Sequence, residues 1–129
     1  MTLKTDINSI SRSQLLRLNK ALTIACTERM GTSKPKIRTT KRESCYYMGY
    51  YDIQENTIVI YRGQLDTVEE YVKVFIHEWT HSRQLKIKTD YYIADAKYGY
   101  RNNPFEVEAR SCEKEYKSEV WKQVKKMMK

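Results

Sequence analysis

The residues His77-Glu78-Trp79-Thr80-His81 form an HExxH sequence, and they contain both histidines of the chain. Two imidazoles four residues apart on a helix stand one turn above each other on one face. Their ring nitrogens can converge on a single metal ion, and zinc suits that donor type. Glu78 is rotated away from them but stays within reach of a zinc-bound water. Zinc lowers the pKa of that water, and the carboxylate acts as general base. The chemistry this spacing serves is hydrolysis of a peptide bond.

The helical wheel places the pair. With His77 at zero, His81 falls near about 40° and Gln84 near about 340° at 100° per residue. Val68, Tyr71, Val72, Phe75, Ile76 and Trp79 spread over the other side. The apolar stripe then packs the helix down, and the histidines are left to floor a cleft.

A catalytic zinc needs three protein ligands and a position for water. With no further histidine, the third ligand must be a carboxylate or something weaker. Asn103-Pro104-Phe105-Glu106-Val107-Glu108-Ala109-Arg110 supplies two carboxylates at the start of the last helix. Taking the apolar stripe there as Phe105, Ala109, Cys112 and Tyr116, Glu108 lies about 70° from its centre and Glu106 about 90° on the other side. Glu106 also falls where a capping box wants an acid. Glu108 is therefore favoured, with Glu106 the alternative. The small Ala109 beside it permits close helix approach. Developing oxyanion charge needs a donor, and Tyr91, Tyr92, Tyr98 and Tyr100 are candidates. Gln84 is a candidate partner for a ligand histidine.

The elements that must position these groups are legible in outline. Leu15, Leu18, Leu22, Ala25 and Cys26 recur at helical spacing after a Ser11 or Ser13 cap, and Gly31 stops the helix. The stretch from Lys36 to Tyr61 reads as about three strands, mostly antiparallel. Thr57–Tyr61 is its clearest strand, Ser44 to Tyr51 is rich in tyrosine, and a hairpin falls around Gln54-Glu55-Asn56. A helix begins near Asp66 or Thr67, with Glu69 and Glu70 in its first turn, and runs to about Leu85 or Lys88. Residues 87–103 form a long connection, functional or holding a short helix. Asn103 and Pro104 then open the last helix, which continues towards Met127.

HEWTHSRQ, followed after 18 residues by NPFEVEAR, resembles the gluzincin type of zinc metallopeptidase. The nearest look-alikes are the small minimal gluzincins of prokaryotes and phages, with a distant similarity to ImmA-like peptidases. The order of helix, small sheet, HExxH helix and glutamate helix is similar to theirs over most of the chain. The resemblance implies an α+β zincin-like fold. It also implies one zinc ion on His77, His81 and Glu108, with Glu78 as base, and a peptide or protein substrate. In such folds a strand beside the site takes the substrate as an extra strand; Thr57–Tyr61 or Tyr46–Tyr51 would serve.

With 129 residues, the chain reads as one domain, 1–129, able to bury a core without disulfides. Cys26, Cys45 and Cys112 are scattered and form no CxxC, which points to reduced thiols. No stretch has the length of a membrane span and no signal-peptide pattern opens the chain, so a cytoplasmic location is expected. The net charge of +8 is spread out, with one cluster at Lys34–Arg42 and another at Lys122–Lys129. Two further readings follow. One is a catalytically silent zincin-type binding or regulatory protein. The other is a basic nucleic-acid-associated protein with a structural metal, although no nucleic-acid motif accompanies the charge. Oligomeric state is not encoded in any motif here. Trp121, Val124, Met127 and Met128 read as the end of a packed helix.

Overall fold

The computed structural model describes residues 5–41 and 47–129. Cys45 and the first residue of the Tyr46–Tyr51 stretch lie outside them. The chain is α+β, with four helices and one three-stranded sheet among the described residues.

Helix α1 (Arg12–Met30) starts at a capping box between Ser11 and Gln14. It ends at Gly31, whose φ of 91° suits glycine. Three short strands follow: β1 (Lys36–Thr40), β2 (Gly49–Asp52) and β3 (Thr57–Tyr61). Their order is β1-β3-β2. β2 and β3 form the expected hairpin, antiparallel, with Asn56 in the left-handed region at its turn. β1 pairs with β3 in parallel, Lys36 opposite Thr57 and Thr40 opposite Tyr61. The sheet is therefore mixed rather than mostly antiparallel. The alternation of a strand does not say which way its neighbour runs, and here β2 comes between β1 and its partner β3 in the sequence.

Helix α2 (Val68–Arg83) opens on a capping box between Thr67 and Glu70. Val68, Tyr71, Val72, Phe75, Ile76 and Trp79 are fully buried. They meet Leu18 and Leu22 of α1 and Ile58 and Ile60 of β3 in one core. Phe75 stacks on Trp79 at 5.9 Å, and the Trp79 indole donates to Gly31 O at 3.0 Å. That bond satisfies a buried donor and ties the end of α1 to the HExxH helix.

Residues 87–103 are not a loop. They form α3 (Ile87–Asn102), broken at Gly99, where φ is 77° and ψ 167°. Only Ile87 of α3 is buried. Lys86, just before it, also has positive φ. Helix α4 (Pro104–Met127) follows, its N-terminus capped by Asn103, which accepts from Phe105 N at 3.0 Å. Val120, Val124 and the following Met128 are buried in the core, so this end of the chain is packed. Cys26 is buried and Cys112 half-buried, both as free thiols. No described helix is long and apolar enough to cross a membrane.

Candidate metal centre

Helix α2 presents His77, Glu78 and His81 together, one ligand atom of each within 4.8 Å of the others. The two imidazoles meet edge to face, 5.0 Å between centroids. Their Nε2 atoms converge on one oxygen: Glu106 Oε1 lies 2.8 Å from His77 Nε2 and 3.1 Å from His81 Nε2. Glu106 is buried.

Of the two carboxylates at the start of α4, the one beside the histidines is Glu106 and not the favoured Glu108. Glu106 reaches the histidines, while Glu108 is exposed and accepts from Gln84 Nε2 at 2.9 Å. The cap does not occupy Glu106, because Asn103 closes the helix end through Phe105 N. The buried face of α4 is Glu106, Ala109, Val120 and Val124. The acid thus belongs to the core-facing stripe, which apolar residues alone had centred too far round.

Each imidazole is held from behind. His77 Nδ1 lies 2.9 Å from Glu113 Oε1. His81 Nδ1 lies 2.7 Å from Gln84 Oε1. Gln84 also donates to Phe105 O at 2.8 Å, locking the end of α2 to the start of α4. Held at Nδ1 from behind, each imidazole turns its Nε2 towards Glu106 at the centre. Gln84 is thus the expected histidine partner. Glu113 was not anticipated; its signal was the i, i+7 spacing from Glu106, which puts both acids on one face of α4.

The tyrosines divide. The Tyr91 hydroxyl donates to Glu106 Oε2 at 2.5 Å. Tyr100 borders the same cleft as Glu78 and Glu106. Tyr92 lies at the cleft rim, 69% exposed. Tyr98 is also exposed, with the Lys97 ammonium 5.1 Å from its ring, and does not border the cleft.

The charges follow from this geometry. Burial disfavours the His77 imidazolium, but hydrogen bonds to Glu106 and Glu113 outweigh it and raise its pKa to about 10. His81 is raised on the same balance, against burial. Burial would raise Glu106, yet hydrogen bonds from His77, His81 and Tyr91 hold it well below the ordinary carboxylate range. Burial lifts Glu78 to about 7, the histidines pulling it only partly back. Burial and the nearby Glu106 and Glu78 push Tyr100 to about 12, so its hydroxyl keeps its proton.

Two imidazole nitrogens and one carboxylate oxygen fit a catalytic zinc donor set. Ligands about 2.0–2.1 Å from a tetrahedral ion stand roughly 3.3 Å from one another. The 2.8 and 3.1 Å separations need only a few tenths of an ångström of relaxation to match.

The cleft over this centre has a volume of about 420 Å³. One wall is edge strand β2 and its turn, the other α3. Thr57–Tyr61 is the central strand, with both edges paired, so it has no edge for an added strand. Among the described residues, the outer edge of β2 is not paired in the sheet. Comparisons with protein families, with curated proteins and with solved structures found no match to this chain.

Proposed function

We propose that the chain is a zinc-dependent metallopeptidase of gluzincin type, with His77, His81 and Glu106 as ligands. The observation that carries this is the convergence of two Nε2 atoms on one Glu106 oxygen, beside a buried Glu78. A zinc ion held there supplies a Lewis acid that polarises a carbonyl and acidifies water. Glu78, with a pKa near neutrality, takes a proton from the attacking water and returns it to the leaving amine. The products are a carboxylate and an amine. Tyr100, protonated and beside the site, is the donor best placed for the developing oxyanion. Tyr91 holds Glu106 Oε2, which leaves Oε1 to face the histidines.

The test is zinc content and cleavage together. Purified protein should carry one zinc per chain and lose it in His77→Ala. Glu78→Gln should retain zinc and lose cleavage of a peptide library by about 10²–10⁴-fold. Zinc bound without any Glu78-dependent cleavage would favour the catalytically silent reading instead.

A further inference from the structure

Helix α3 is built inside out. Beside the buried Ile87, its half-buried positions are Asp90, Tyr91, Ala94 and Asp95, and Asp95 Oδ1 is buried with no hydrogen-bond partner. Tyr92 and Ile93 are exposed, at 69% and 68%, and so is Ala96. Setting Ile87 at zero, Tyr92, Ala96 and Ile93 fall between about 140° and 240°, at 100° per residue. Lys88 flanks them near about 100° and Lys97 near about 280°; both are exposed. A helix that serves only a core turns its apolar stripe inward. Here the stripe faces water, with a lysine on either side. Leu85, 88% exposed, and Lys86 stand at the N-terminal end of the helix, and Arg101 lies near its C-terminal end.

The size and charge of this face say what fits it. A stable protein interface takes about 20–30 residues a side, and a few large side chains on one helix fall far short. A lipid surface asks for less: an apolar strip that enters the headgroup boundary, and cations long enough to reach the phosphates. Tyrosine suits that depth. Lys86, Lys88, Lys97 and Arg101 favour anionic headgroups, while Asp90 and Asp95 lie on the half-buried side. A nucleic acid would meet the cations but has no apolar phase for Ile93 and Leu85.

We propose that the outer face of α3 docks the chain on an anionic lipid surface, with Tyr92 and Ile93 entering the headgroup boundary and Lys88 and Lys97 reaching the phosphates to either side. α3 is one wall of the cleft, so docking holds the cleft within about 10 Å of the headgroups, one helix diameter. Docking needs no metal.

The test is flotation of the full chain on vesicles of phosphatidylcholine, plain or with about one third phosphatidylglycerol. The anionic vesicles should bind the chain at least about tenfold more tightly, equally in zinc and in chelator. Leu85→Ser with Ile93→Ser should weaken that binding by about tenfold or more, with an unchanged circular dichroism spectrum. Lys88→Glu with Lys97→Glu should weaken it at least as much. Lys122→Glu, Lys125→Glu and Lys126→Glu together should weaken it less than either pair. In Ile93→Trp, the emission added to that of Trp79 and Trp121 should shift to the blue and be quenched by brominated acyl chains. Equal binding to both vesicles overturns the proposal, as does no binding, or binding lost through the C-terminal reversals and not through the α3 pairs. A bound Ile93→Trp chain whose added emission is unquenched also overturns it. So does a dimer in solution that Ile93→Ser dissolves, which gives the face to a second copy. Each of these outcomes leaves the peptidase reading standing, because zinc content and Glu78-dependent cleavage are measured without lipid.

Discussion

Glu106 and Glu108 differ by two places in the chain and by most of the site in space. One carboxylate sits buried between two imidazoles; the other is exposed on a glutamine amide. Glu106→Gln should therefore weaken zinc binding at least 100-fold, and Glu108→Gln less than tenfold, in competition with a chromophoric chelator. Glu113→Gln should fall between them, at about 10–100-fold, the usual effect of removing the group behind a ligand histidine. The same pairings set a pH dependence. His77 is raised from about 6.5 unfolded to about 10 folded, so its contribution is whole below 6.5 and fades as pH climbs through 10. Glu78, an acid raised to about 7, adds a loss of the same sign between its ordinary 4.5 and 7. Thermal melts in chelator should thus show falling stability from pH 6 towards 10. Zinc affinity should move the other way, rising with pH, because the ion must displace the His77 proton.

Helices α2 and α4 form the site by crossing, and Gln84 is where they are pinned. α2 was readable because its signals agree: a Thr67 and Glu70 capping box, one apolar stripe, and two histidines off that stripe. Thr67→Ala should lower stability by about 1 kcal/mol in a denaturant titration. α3 was harder to read, since its 16 residues bury only Ile87 and so show no clean stripe. Tyr91, Tyr92 and Tyr100 line a cleft instead of a core, and a periodicity rule built on burial does not register them. Gly99 adds to the difficulty: it breaks the helix in a φ, ψ region that only glycine occupies comfortably. Nothing lies within 4 Å of where its Cβ would be, so Gly99→Ala tests backbone strain alone. A loss of about 1–3 kcal/mol is expected, read by thermal or denaturant unfolding. The place of Glu106 beside the histidines was missed for a related reason. A stripe drawn through apolar residues cannot show that an acid belongs to it, and only the neighbouring helix reveals that Glu106 and Ala109 share a face.

For the molecule as a whole, the candidate metal centre joins the second half of the chain to itself, α2 to α4 directly and α3 through Tyr91. Zinc at a hundred times its Kd should then stabilise the fold by about 2.7 kcal/mol. For a chain of this size that is roughly 10 °C in Tm, measurable by scanning with zinc against chelator. The sheet carries a different consequence. β3 lies between two strands that both precede it and that do not pair with each other. During synthesis β1 and β2 leave the ribosome with no ladder to join, and none can close until Tyr61 has emerged. The two helices that carry His77, His81 and Glu106 come later still. A nascent chain released before Thr57 therefore lacks the central strand, the α3 wall of the cleft and every residue of the candidate metal centre.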